Sequence, residues 1–216
     1  MASLTFMANP KRRSFFLALI LLTFTALAYP LGSSAGIVQP LTQDDGRTVV
    51  RERLRNGMTV IVEEVTSSPV VAIQMWVRVG SAYETEEEAG LSHVFEHMLF
   101  KGTEKRKVGE LAATVEALGG DINAYTSFDK TVYHLVLPSR HFSVGLDVIS
   151  DSIQNSAFDP DELDKELEVV LEELRMNKDR PGRNLFKSAL STSYSKHPYG
   201  RPVIGYESVI ESLTRD

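Results

Sequence analysis

Several short runs of the chain alternate hydrophobic and polar residues, a pattern typical of β-strands. The runs Thr48–Leu54 and Met58–Val65 flank Asn56-Gly57, a dipeptide that tolerates the positive φ angles of a tight hairpin turn. In Val70–Val79, apolar residues occupy every second position, which predicts a half-buried strand. A second hairpin is predicted from the runs 121–127 and 131–137.

Other segments repeat apolar residues every three or four positions, which predicts helices. Asp159-Pro160 followed by Glu162 is typical of a helix start, and that helix is expected to run to about Lys178. Further helices are predicted at Ala89–Lys101, Val108–Leu118, His141–Gln154 and Asn184–Ser193. In the third of these, Val144, Val148 and Ile149 are expected to face inward. Strands and helices in clumps predict an α+β fold, with a two-layer architecture in which a mostly antiparallel sheet packs against helices.

The first 35 residues differ in pattern from the rest. The basic cluster Lys11–Arg13 precedes the uncharged apolar stretch Ser14–Ala28 and then a run of small residues, the order of a secretory signal. We therefore expect residues 1–35 to be a signal peptide, residues 36–46 a linker and residues 47–216 the folded domain. The expected location is the bacterial periplasm or the extracellular space, or a membrane if the segment is retained as an anchor.

Composition excludes several classes of function. The chain of 216 residues contains no cysteine, which rules out disulfides, thiolate metal sites, iron–sulfur centres and cysteine nucleophiles. Its net charge of −6 argues against a nucleic-acid partner.

The clearest chemical motif is H-x-x-E-H, formed by His93, Glu96 and His97. Residues i and i+4 of a helix share one face, so both imidazoles can bind one metal ion. Glu96 lies on the adjoining flank, from which it can reach an attacking water without binding the metal. The pattern is the H-E-x-x-H order of zinc peptidases reversed. A chain with five histidines has such a match by chance only rarely.

A catalytic zinc site needs a third protein ligand. The acidic helix that starts at Asp159 offers four glutamates: Glu166, Glu168, Glu172 and Glu173. Glu166 and Glu173 are two helical turns apart and therefore share a face, which borders the apolar stripe. Spacing alone does not decide between Glu172 and Glu173.

These motifs together resemble the pitrilysin/insulinase family of zinc metallopeptidases, and especially its mitochondrial-processing-peptidase-like branch. The matching segments are GLSHVFEHMLFKGT at 90–103, GGDINAYTSFDKTVYH at 119–134 and ELDKELEVVLEEL at 162–174. The resemblance extends over residues 47–216 and implies the N-terminal, zinc-binding domain of such a peptidase, with its C-terminal part missing.

The resemblance implies a role for each matching residue. His93, His97 and Glu173 would bind one Zn²⁺, with Glu173 as the second glutamate of an E-x₆-E pair. Glu96 would be the general base. Glu166 would be the supporting carboxylate that orients His93, the first histidine.

The same resemblance implies how substrate and partner bind. Asn123 and the backbone of Ala124 would contact a peptide that adds as a strand to 121–127. A second homologous domain or subunit would close over the zinc, and this chain alone is expected to bind zinc but to cleave peptides poorly.

The predicted function is therefore that of a zinc-dependent metalloendopeptidase acting on short or unfolded polypeptides. One alternative is a non-catalytic partner or core subunit of the same fold. Another is a fragment that is inactive without its second half.

Overall fold

One mixed sheet forms the framework of the molecule. The computed structural model describes residues 2–6, 39–42 and 48–215. Within these ranges, seven strands form one sheet in the order β2-β3-β4-β1-β5-β7-β6. The strands are β1 (Ala2–Phe6), β2 (Gln39–Thr42), β3 (Thr48–Arg53), β4 (Thr59–Glu63), β5 (Val70–Val77), β6 (Asp121–Thr126) and β7 (Thr131–Pro138).

The two predicted hairpins are confirmed. β3 pairs with β4 across a turn in which Gly57 has a φ of 86°, a value that glycine adopts without strain. β6 pairs with β7 in antiparallel register, and β6 lies at the edge of the sheet. Only β1 and β4 run parallel among the described strand pairs, so the expected mostly antiparallel sheet is confirmed.

Six α-helices of the described residues pack on this sheet or on one another. They are α1 (Leu91–Met98), α2 (Glu110–Ala117), α3 (Phe142–Asn155), α4 (Pro160–Lys178), α5 (Pro181–Ser193) and α6 (Glu207–Ile210). The last predicted helix begins earlier than expected, at Pro181, because proline is favourable at the first helical position. The predicted α+β fold is confirmed.

The main hydrophobic core lies between the sheet and helices α2 and α3. Alternate residues of β5 (Val71, Ile73 and Met75) meet Leu111 of α2 and Ile149 of α3 there. Val144 of α3, which the pattern predicts to face inward, is 36 % exposed.

A second cluster joins α1 to α4. Val94 and Met98 of α1 contact the apolar stripe of α4, together with Ile210 of α6. The stripe consists of Leu163, Leu167, Val170, Leu171 and Leu174. This cluster holds the H-x-x-E-H helix against the acidic helix.

The N-terminal predictions lie mostly outside the described residues, which do not include the basic cluster or the apolar stretch. Ala2–Phe6 forms β1 between β4 and β5, so loss of residues 1–35 would remove a central strand. Gln39–Thr42 lies inside the predicted linker but forms edge strand β2, which pairs with β3 over four residues. This part of the linker is therefore part of the sheet. No helix in the described part of the chain is long and apolar enough to cross a membrane.

Candidate metal centre

A buried carboxylate fixes the start of helix α1. Glu84 accepts hydrogen bonds from the Gly90 N–H at 2.9 Å and from the Ser92 N–H at 2.7 Å. A negative charge at a helix N-terminus satisfies free N–H groups and the helix dipole. Glu84 therefore anchors the turn that carries His93.

The same turn needs glycine at position 90. Gly90 has a φ of 105°, and a Cβ there would lie 2.8 Å from the Ile204 carbonyl oxygen. Gly205 packs against it so closely that its own Cβ would lie 2.1 Å from the Ala89 carbonyl oxygen. The loop before α6 thus presses directly on the start of α1.

Helix α4 brings the acidic residues to the site. Asp159 caps it by accepting from the N–H groups of Asp161 and Glu162, as the sequence predicts. The apolar stripe faces α1, and the side of α4 that borders it carries Glu166 and Glu173. Glu172 points away from the histidines: its side chain is 62 % exposed and pairs with Arg175 at 3.3 Å.

His93, His97 and Glu173 converge on one point. The distance from Glu173 Oε2 is 3.6 Å to His93 Nε2 and 4.0 Å to His97 Nε2. One ligand atom from each residue lies within 4.8 Å of the other two. The structure therefore brings together the three predicted ligands, and it places Glu173 rather than Glu172 beside the imidazoles.

Glu166 contacts His97, not His93. Its Oε1 lies 2.8 Å from His97 Nδ1, and its Oε2 lies 2.5 Å from Lys101 Nζ. The expectation that Glu166 orients the first histidine is wrong, because α1 and α4 run in opposite directions. The earlier glutamate of α4 consequently meets the later histidine of α1. Although burial opposes ionisation, the contacts with Lys101 and His97 hold the pKa of Glu166 below its usual value.

Glu96 lies next to the histidines and is held by one side chain from the sheet. Thr126, the last residue of β6, donates a hydrogen bond from Oγ1 to Glu96 Oε2 at 2.6 Å. Burial raises the pKa of Glu96 above its usual value, although the Thr126 bond acts in the opposite direction. A carboxyl with a raised pKa is better suited to accept a proton in catalysis.

The donor set fits zinc. Burial, and then the nearby His97, lower the pKa of His93 to about 4, so its imidazole is neutral at pH 7, as metal binding requires. Two imidazole nitrogens and one carboxylate oxygen are a known catalytic zinc set, which leaves one position for water or substrate. The three residues line an open cavity, so that position is accessible.

The cavity has a volume of about 780 Å³ and lies between edge strand β6 and helix α5. One wall is β6, from Ala124 to Thr126, and another is the loop at 200–205. The α5 wall consists of Gly182, Arg183, Asn184, Phe186, Lys187 and Leu190. A channel beside an unpaired strand edge can hold an extended peptide.

The two predicted substrate contacts have different positions. Ala124 lines the cavity, whereas Asn123 is exposed and is not among the lining residues. The Asn123 side-chain oxygen accepts a hydrogen bond from the Ala124 N–H at 2.8 Å. Substrate contact by either residue stays a prediction.

Three residues of the site were not predicted from the sequence: Thr126, Lys101 and Glu84. Lys101 carried a signal, since it follows His97 by four residues and so repeats the spacing of the two histidines. Thr126 lies on the same face of β6 as Ala124, but nothing in the sequence pattern indicated which residue it would meet. Glu84 belongs to the acidic run 84–88, which is typical of a solvated loop.

Comparison with known proteins identifies the family. Residues 59–207 match the family model described as "Insulinase (Peptidase family M16)". The chain belongs to this peptidase family. The resemblance found in the sequence is thereby confirmed.

Two curated relatives are similar to the chain over about three quarters of its length. A Rickettsia felis protein named an uncharacterized zinc protease is 37 % identical over 164 residues, covering 76 % of this chain and 40 % of that protein. An Arabidopsis thaliana protein named a probable mitochondrial-processing peptidase subunit beta is 32 % identical over 163 residues, covering 76 % of this chain and 31 % of that protein. The chain thus spans less than half the length of these relatives.

Solved structures agree with the fold. The chain is similar to a protease from Helicobacter pylori with a TM-score of 0.72 and 29 % identity, covering 83 % of this chain and 41 % of the other. It is similar to pitrilysin with a TM-score of 0.68 and 26 % identity, covering 82 % of this chain and 20 % of the other. The α+β architecture is therefore that of M16 peptidases.

Proposed function

We propose that the chain is the zinc-binding catalytic domain of a metalloendopeptidase that hydrolyses short or unfolded polypeptides. The observation that carries this proposal is the convergence of His93, His97 and Glu173 within 4.8 Å at the wall of an open cavity. Zinc protease relatives and the M16 family model support a peptidase.

Each side chain has a distinct task in this proposal. His93, His97 and Glu173 would hold one Zn²⁺, which would supply positive charge to polarise the scissile carbonyl and to acidify water. Glu96 accepts the proton that the attacking water loses and later delivers it to the leaving amine. Glu166, fixed by Lys101, holds the His97 ring with its Nε2 directed toward Glu173.

The substrate is expected to bind as an extended strand along β6. This strand is at the edge of the sheet, so a peptide can pair with its outer side once the Ala124 N–H releases the Asn123 side-chain oxygen. Ala124 would supply backbone contacts and Asn123 a side-chain contact. A folded protein does not present an extended segment readily, which favours short or unfolded substrates.

Partner and location are also proposals. A second homologous domain or subunit would cover the cavity, because helix α5 at its wall is largely exposed. Export through the segment 1–35 is proposed on its charge and apolar pattern alone, and cleavage of the segment would also remove strand β1. The mass and N-terminal sequence of the mature protein test that export.

The decisive experiment separates metal binding from proton transfer. Glu173→Gln should lose zinc, with affinity lower by more than ~100-fold, since even outer-shell changes cost ~10–100-fold. Glu172→Gln is the matched control and should keep zinc. Glu96→Gln should keep zinc yet lower peptide hydrolysis by ~10²–10⁴-fold in the full product of the gene.

Metal analysis and a quenched peptide substrate provide the measurements. Zinc loss in Glu172→Gln but not in Glu173→Gln would shift the ligand by one residue. Unchanged hydrolysis in Glu96→Gln would refute the role of Glu96 as base.

A further inference from the structure

Thr126 connects the edge strand β6 to the candidate base, mainly through its hydroxyl and to a smaller extent through its backbone N–H. Thr126 Oγ1 donates to Glu96 Oε2 at 2.6 Å and also lies 3.4 Å from the Ser92 carbonyl oxygen of α1. Thr126 is the only side chain, among those that the structure describes, that donates a hydrogen bond to Glu96. The hydroxyl is therefore the stronger of the two Thr126 groups that orient the Glu96 carboxylate.

Thr126 is itself held in place by the sheet. Its backbone pairs with Thr131 of β7, and its β-branched side chain has few accessible rotamers in a strand. Glu96 is attached to a different element, helix α1, through a side chain with three rotatable bonds. The hydroxyl is thus the rigid partner and the carboxylate is the flexible one.

The contact also makes the two carboxylate oxygens of Glu96 different from each other. Oε2 accepts the hydrogen bond from Thr126, which leaves Oε1 without a protein donor among the described side chains. A proton acceptor that is held in one orientation avoids the loss caused by misplacement, where about 1 Å can cost ~10²-fold in rate.

We propose that Thr126 is a positioning residue that anchors Oε2 of Glu96 so that Oε1 accepts the proton of the attacking water. In that step the water O–H bond breaks and its proton passes to Oε1, while the water oxygen bonds to the carbonyl carbon and the carbonyl π electrons move to the carbonyl oxygen. The proposal rests on the proposed function of Glu96.

The position of Thr126 has a consequence for substrate. Ala124 and Thr126 are two residues apart on one face of β6, about 7 Å along the strand at ~3.3 Å per residue. A peptide that pairs with β6 is thereby placed in register with the residue that orients the base. Strand β6 therefore positions both the bound peptide and the carboxylate that accepts the proton.

Two substitutions test the hydroxyl. Thr126→Val keeps the branched shape and the strand preference but removes the donor, whereas Thr126→Ser keeps the donor. In the full product of the gene, we expect Thr126→Val to lower kcat by ~10–100-fold with KM and zinc content nearly unchanged. Thr126→Ser should restore most of the rate.

Thr131→Val is the matched control from the same rung of the β6–β7 ladder. Its hydroxyl donates to the Val79 carbonyl oxygen at 3.0 Å and lies 3.4 Å from Thr126 Oγ1, but it is not among the described side chains that donate to Glu96. We expect this variant to lower stability but to leave kcat near the wild-type value. Equal losses of kcat in Thr126→Val and Thr131→Val would overturn the proposal, since the effect would then be one of the strand as a whole.

The rotamer of Glu96 can be measured without any catalytic assay, so it tests this proposal separately from the proposed function. In crystal structures of the zinc-loaded chain, Glu96 Oε2 should stay within hydrogen-bond distance of residue 126 in wild type and Thr126→Ser. In Thr126→Val the carboxylate should turn to another rotamer. An unchanged rotamer in Thr126→Val would overturn the positioning role, whereas an inactive wild type with the expected rotamers would overturn only the peptidase function.

Discussion

Helices α4 and α5 follow one another in the chain and both line the cavity, yet they are held very differently. α4 buries five apolar residues and Glu166, while α5 has no buried residue. Leu171 of α4 is 5 % exposed, and Leu185 of α5 is 73 % exposed. Only α4 carries a side-chain N-cap.

The two helices therefore differ in what they contribute to the cavity: α4 carries a metal ligand, and α5 forms an exposed wall. Glu173 must hold its position to within a fraction of an ångström, and the packed stripe of α4 provides that precision. α5 carries Arg183 and Phe186 toward the cavity without such packing. We infer that α4 sets the metal geometry and that α5 has little influence on it.

The largest expected effect comes from the packing of the two helices. Leu171→Ala should lower the free energy of unfolding by about 2–5 kcal/mol, because it opens a cavity in the α1–α4 cluster. The same change at exposed Leu185 should stay within ~0.5 kcal/mol. Urea unfolding of both variants measures this, and equal losses would contradict the comparison.

A second prediction concerns cations that contact the acidic residues from each side. Lys101→Met leaves Glu166 buried without its ammonium partner, so the His97 ring is held less firmly and zinc affinity should fall by ~10–100-fold. Arg183→Met removes an α5 cation that lies 3.9 Å from Glu173 and is 55 % exposed. Exposed ion pairs contribute about 0–1 kcal/mol, so this control should change affinity by less than ~5-fold.

Competition with a chelator of known zinc affinity measures both variants. A larger loss in Arg183→Met than in Lys101→Met would assign control of the metal to α5.

The smallest effect is expected at the helix starts. Asp159→Ala removes the cap of α4 and should cost about 1 kcal/mol in the free energy of unfolding. Arg180→Ala changes the corresponding position of α5, which has no side-chain cap bond, and should be close to neutral. Thermal or urea unfolding checks both, and a neutral Asp159→Ala would mean that the cap does not stabilise α4.

Much of the fold could be predicted, because local patterns carry it. The Asn56-Gly57 turn, the alternation in β5 and the Asp159-Pro160 start each depend on a few neighbouring residues. Strand β1 and the exposure of Val144 could not be predicted, since both depend on which surfaces come together in three dimensions.

The sequence by itself determined that two imidazoles and a carboxylate share a helix turn, because α-helical geometry places i and i+4 on one face. It also limited the third ligand to neighbouring glutamates of one later helix.

Only the tertiary structure decided between Glu172 and Glu173, because the apolar stripe of α4 sets which flank meets α1. The opposite directions of α1 and α4 likewise decided that Glu166 supports His97 instead of His93. Contacts between distant segments, such as Thr126 with Glu96, follow from packing and have no local pattern that predicts them.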